Sequence, residues 1–128
     1  TLAAQGHQVS YITDAQGGLF PAQADAVLVG ADALLDDGTL VNKAGTYLLA
    51  LAAKDQNVPF WVCAESFKCT AIPAHAFALE ERSGSELGPP PVPGLKARNL
   101  YFEMTPPRLI TGWLSNEPLA QRFAPQGA

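Results

Sequence analysis

Apolar residues fall along this chain in short runs that end in polar turns. Residues 26–31 (AVLVGA) form one continuous run, the pattern of a central parallel strand covered on both faces. Residues 34–40 contain Asp-Asp-Gly, a turn signal. Residues 43–56 read as a helix. Leu48, Leu49, Leu51 and several alanines fill it, with no charge between Lys43 and Lys54. Such a helix lacks a broad polar face, which predicts burial on more than one side. Asn57 and Pro59 stop it. Residues 59–64 (PFWVCA) make the next strand, with Cys63 expected in the core.

The flanks are read in the same way. Residues 8–13 (QVSYIT) are rich in β-branched and aromatic side chains and predict a strand. Residues 15–24 predict a helical turn. Residues 99–104 (NLYFEM) predict a late strand. Thr105, Pro106 and Pro107 then cap and open a short final helix toward Leu114. Residues 84–94 (GSELGPPPVPG) carry no period and read as a loop, with a polyproline ligand as the competing reading. The tail beyond Pro118 is expected to fray. Residues 2–6 read as the last turn of a helix closed by Gly6, which predicts a further part upstream. Strands alternating with helical segments define an α/β fold. We expect one three-layer domain over residues 1–128, with a mostly parallel twisted sheet and right-handed crossovers.

The polar residues at the ends of these runs are the candidate chemistry. Asp14, Asp32 and Glu65 each follow an apolar strand. Parallel strands would gather all three on one sheet edge, where ligands bind in such folds. A carboxylate there suits general acid–base work; the same positions also suit helix capping and turn formation. Asp32 stands out, because the loop after it returns to Asn42 and Lys43. Those two residues are expected at the first turn of the buried helix. A lysine is electrostatically misplaced at that end, which is already partly positive. An anion on the same spot would relieve the conflict, so a phosphate site is expected there. Gly45 allows close approach of backbone or ligand.

Charge and composition narrow the classes. A formal net charge of −4 argues against direct nucleic-acid binding through a basic surface. No stretch has the apolar length of a membrane span, and no signal peptide is visible. Cys63 and Cys69 form no C-x-x-C pair and read as reduced thiols in a cytoplasmic protein. No cofactor and no metal site are expected. His7 and His75 read as surface residues, and Trp61 and Trp113 as packing residues. No P-loop, G-x-G-x-x-G, H-E-x-x-H or G-x-S-x-G motif occurs.

The run VGADALLDDGTLVNKAGTYLLALAAK, followed by VPFWVCAESFK, resembles one known family. That family unites the alpha, beta and delta regulatory subunits of eukaryotic translation initiation factor 2B with two isomerases. The isomerases act on ribose-1,5-bisphosphate and on methylthioribose-1-phosphate. YITDA, LEER and N-x-Y-F-E-x-T-P-P carry the resemblance over nearly the whole chain. It implies the family's C-terminal Rossmann-like domain, cut short at its N-terminus. It implies that Asp32 is the catalytic acid–base residue, and that Asn42 and Lys43 contact substrate and phosphate. The family's catalytic cysteine and further phosphate ligands lie upstream, and neither Cys63 nor Cys69 matches that cysteine. Glu65 to Lys68 (ESFK) looks like the regulatory and ribose-bisphosphate branches rather than the methylthioribose branch.

The resulting expectation is binding of a phosphorylated sugar by Asp32, Asn42, Lys43, Asp14 and Glu65. Aldose–ketose isomerisation of a phosphopentose would follow only in a complete parent chain. The alternative is a non-catalytic regulatory or interaction module. A symmetric homodimer is expected, because one sheet cannot cover leucines spaced about 100° apart on the helix.

Overall fold

The computed structural model describes residues 1–123. Its strands are β1 (Val27–Val29), β2 (Ala33–Leu34), β3 (Leu40–Lys43), β4 (Phe60–Cys63), β5 (Glu81–Arg82), β6 (Asn99–Leu100), β7 (Phe102–Thr105) and β8 (Gly112–Leu114). One helix, α1 (Thr46–Asp55), joins β3 to β4. Strands β1, β4 and β8 form a parallel sheet with β4 in the centre. The α/β class and the parallel sheet agree with the sequence pattern. Two smaller antiparallel sheets, β2-β3-β7 and β5-β6, stand beside it and were not foreseen.

Burial follows the pleat of β4. Phe60 and Val62 are buried, while Cys63 is exposed. Successive strand side chains point to opposite faces, so Cys63 belongs to the outward set. The expectation of a core cysteine is therefore corrected. The outward face of this sheet also carries exposed Leu28 and Leu114. The inward face packs on α1 through Ala50 and Ala53, with Leu34, Leu40, Leu109, Ile110 and Leu119 completing the core. Trp61 lies across Gly112 on the neighbouring strand. A Cβ there would sit 2.5 Å from the indole, so only glycine admits this contact.

Helix α1 begins at Thr46, three residues later than the sequence pattern predicts. Lys43 is instead paired with Phe102 in the β3-β7 ladder, and a residue held in a ladder cannot also open a helix. The expected stop is present: Asn57 takes φ 56°, and the Val58 N–H donates to the Ala53 carbonyl at 2.8 Å. Residues 8–13 are not a strand. No described segment pairs with them, and Tyr11 is 99% exposed. An extended segment needs a hydrogen-bonded neighbour to persist as a strand.

The final helix is also corrected. After Pro106 the chain makes one 3-10 turn, Pro107–Leu109, and then enters β8. Buried Leu109 and Ile110 pull it back toward the sheet, and the Thr111 N–H joins the Phe60 carbonyl at 2.8 Å. The segment after Pro118 is anchored as far as Phe123. Leu119 is buried, and Phe123 packs at a tilt against Trp113 with ring centroids 4.7 Å apart. The rest of the expected fraying tail lies outside the described residues. In the proline loop, Val92 donates to the Pro90 carbonyl and Leu95 to the Val92 carbonyl. Such internal hydrogen bonds are foreign to a polyproline helix, so this stretch is a turned connector.

Candidate functional site

The carboxyl ends of β1 and β4 stand in register, with Val29 beside Val62. Asp32 lies three residues beyond the first and Glu65 three beyond the second. Both are exposed on the same sheet edge, as the apolar runs predicted. The Asp32 N–H donates to the Val41 carbonyl at 2.9 Å, which fixes it beside β3. The Glu65 carbonyl accepts the Lys68 N–H at 3.0 Å and closes a 3-10 turn.

Asp14 arrives by another route. It opens the 3-10 turn Asp14–Gly18 rather than ending a strand. That turn packs on α1, and the Gln56 amide donates to the Gly18 carbonyl at 2.9 Å. Between turn and helix lies a cleft of about 650 Å³, lined by Asp14, Gly17, Gly18, Lys43, Gly45 and Leu48 among others. The fold thus brings Asp14 and Lys43 into one cavity. Asp32 and Glu65 sit on the sheet edge and do not line it.

Lys43 ends β3 and is exposed. Its ammonium stands 4.2 Å from the Tyr101 ring centroid and 5.9 Å from that of Phe102. Asn42, one residue earlier, faces the other side of the ribbon. Its Nδ2 donates to Thr46 Oγ1 at 3.1 Å, and that hydroxyl donates to the Lys43 carbonyl at 2.7 Å. Asn42 therefore ties the end of β3 to the start of α1. Gly45 turns the chain between them with φ 107°, a conformation that disfavours any side chain.

The anion expected at the helix start is supplied by the protein. Glu103 on β7 accepts the N–H groups of Gly45 at 2.9 Å and of Tyr47 at 2.8 Å. A carboxylate complements the positive end of a helix. Two of the amides expected to meet a phosphate are thus already bonded to Glu103. The available signal was the polar position in the NLYFEM strand, which falls opposite Asn42.

Tyr101 was missed as well. Its hydroxyl donates to the Glu86 carboxylate, and Asn99 Nδ2 donates to the same oxygen at 3.1 Å. The hydrogen bond to Glu86, then burial and the Glu86 charge, push the Tyr101 pKa above its ordinary value. Arg98 hydrogen-bonds Glu81 and holds that carboxyl below the usual range. Burial pushes the Cys69 thiol up, against the opposing pull of Arg122. Among the described residues no three His, Cys, Asp or Glu side chains are grouped to hold a metal ion, and no helix is long and apolar enough to cross a membrane.

These features define an α/β domain with a largely apolar cleft at the start of α1, into whose lining Asp14 and Lys43 bring charge. The chain belongs to the initiation factor 2 subunit family, whose model matches residues 1–119. It is 43% identical over 108 residues to a Pyrococcus abyssi (strain GE5 / Orsay) protein named translation initiation factor eIF-2B subunit 2-like, covering 84% of this chain and 37% of the relative. It is 39% identical over 105 residues to ribose 1,5-bisphosphate isomerase of Archaeoglobus fulgidus, covering 79% and 34%. The crystal structure of 5-methylthioribose 1-phosphate isomerase from Pyrococcus horikoshii OT3 matches with TM-score 0.79 at 29% identity, over 91% of this chain and 35% of that one. The chain spans about a third of the length of the curated relatives it matches.

Proposed function

We propose that this chain binds a phosphorylated sugar, and that in a complete parent protein it supports aldose–ketose isomerisation of a phosphopentose. The carrying observation is the cleft that Lys43 and Asp14 line together with Gly17, Gly18 and Gly45. The ammonium supplies charge for a phosphate, and the glycines let an oxyanion approach the main chain. Asn42 holds the junction that carries Lys43. Asp32 is the acid–base residue, with Glu65 as its neighbour on the sheet edge. Relatives named as sugar-phosphate isomerases support this reading. A cytoplasmic setting, with both thiols reduced, belongs to it.

Calorimetry with ribose 1,5-bisphosphate and the full-length protein tests the binding. Lys43→Ala removes one charge-assisted contact and is expected to weaken affinity roughly tenfold or more. Equal affinity of variant and wild type would overturn the assignment. A second reading, a non-catalytic regulatory subunit, is favoured by the higher identity to the relative named as a translation factor. It expects ligand binding without turnover.

The proposal includes a two-fold homodimer. Leu48 on α1 is 69% exposed, an apolar side chain that a partner copy would cover. Leu48→Glu should shift the full-length protein from dimer to monomer in light scattering. A wild type that is monomeric at high micromolar concentration would defeat the dimer.

A further inference from the structure

Tyr101 is held through its backbone carbonyl and its hydroxyl before any ligand arrives. The Ala44 N–H donates to the Tyr101 carbonyl at 2.7 Å, next to the Lys43–Phe102 pair of the ladder. The hydroxyl is held by Glu86. Glu86 is itself held by Asn99, whose Nδ2 also donates to the Ser83 carbonyl at 2.9 Å. Over this fixed ring stand two cations, the Lys43 ammonium at 4.2 Å and the Arg82 guanidinium at 5.4 Å. A phenol whose proton leans toward a carboxylate has an electron-rich ring, which strengthens attraction for a cation.

We propose that Tyr101 is a positioning residue, holding the Lys43 ammonium at the cleft so that its N–H groups meet a phosphate oxyanion. This inference rests on the sugar-phosphate reading of the cleft. A lysine side chain is long and flexible, and exposure alone would let it sample many rotamers. The ring face attracts the charge without accepting all of its three N–H donors, so donors remain for the phosphate. Among the described residues Lys43 has no carboxylate within ion-pair distance. The aromatic face is its fixed electrostatic partner. Segment 82–101 thereby bears on the ligand without touching it.

The test uses the full-length protein carrying 13C-labelled lysine, with the Lys43 signal assigned by its loss in Lys43→Arg. Ring current should shift the Lys43 side-chain methylene protons upfield of the free-lysine position. Tyr101→Phe, which keeps the ring but loses the bond to Glu86, should keep part of that shift, and Tyr101→Leu should abolish it. Affinity for inorganic phosphate and for ribose 1,5-bisphosphate should fall about two- to fivefold in Tyr101→Leu and recover in part in Tyr101→Phe. A wild-type Lys43 signal at the free-lysine position overturns the inference whatever the binding data show. So does an upfield signal with unchanged affinity in Tyr101→Leu, provided Lys43→Ala binds weakly. Unchanged affinity in Lys43→Ala removes the sugar-phosphate reading itself, and the inference with it.

Discussion

Asp32→Asn in the full-length protein is expected to lower turnover of ribose 1,5-bisphosphate by about 100- to 10,000-fold, the usual contribution of a general acid–base group. The substitution is nearly isosteric. It preserves the backbone N–H bond to Val41, which involves no side-chain atom. It removes only the capacity to take up and return a proton. Binding should therefore persist while kcat falls, the mark of an interaction used in the transition state. Stopped-time assays at saturating sugar phosphate check this directly. Turnover within about tenfold of wild type would remove Asp32 from the mechanism. A wild-type protein that binds the sugar and never turns it over would establish the regulatory reading instead.

The second large effect concerns the centre of the sheet. Phe60→Ala is expected to cost about 3–5 kcal/mol, the range for truncating a buried aromatic residue. Phe60 is 1% exposed and belongs to the same core cluster as Leu34, Ala50, Ala53, Val62 and Ile110. Its backbone is bonded to Thr111 on the neighbouring segment through both N–H and carbonyl, and the substitution leaves those bonds in place. The loss would isolate the side chain. Whole proteins are stable by only about 5–15 kcal/mol, so expression could suffer. Urea denaturation of the full-length protein measures the loss. Leu28→Ala on the exposed face of β1 is the control, with a change of about 0.5 kcal/mol or less. Equal effects of the two substitutions would contradict the burial pattern.

What the sequence disclosed was local. The body of α1 was legible because its apolar content, its Asn57 stop and Pro59 all lie within one short window. Strands β1 and β4 were legible as unbroken apolar runs, and with them the shared edge of Asp32 and Glu65. The features that escaped depend on distant partners. Strand β3 is a strand because β7 pairs with it, so Asn42 and Lys43 looked like a helix start from their own neighbourhood. Strand β8 is a short Gly-Trp-Leu stretch behind two prolines, too brief for a period to be read. Cys63 was misplaced because nothing in its run reveals which face of the sheet is left uncovered. Asp14 was placed at a strand end, yet it comes to line the same cleft as Lys43 through a turn packed on α1.

The carboxylate of Glu103 sits on the start of α1 although it is 58 residues away from Gly45. Synthesis therefore delivers the helix well before its cap. At ribosomal rates of about 5–20 residues per second, the interval is on the order of 3–12 s. During that time the first amides of α1 have no internal anion, and β3 lacks the neighbour that makes it a strand. The parallel sheet waits longer still, since β8 follows β7 in the chain. A ribosome stalled between α1 and β7 would thus display a helix rich in leucine and alanine that can dock on the Asp14–Gly18 turn and on β4 but not on β7. Slower elongation after α1 would lengthen the time for which the helix start lacks its carboxylate.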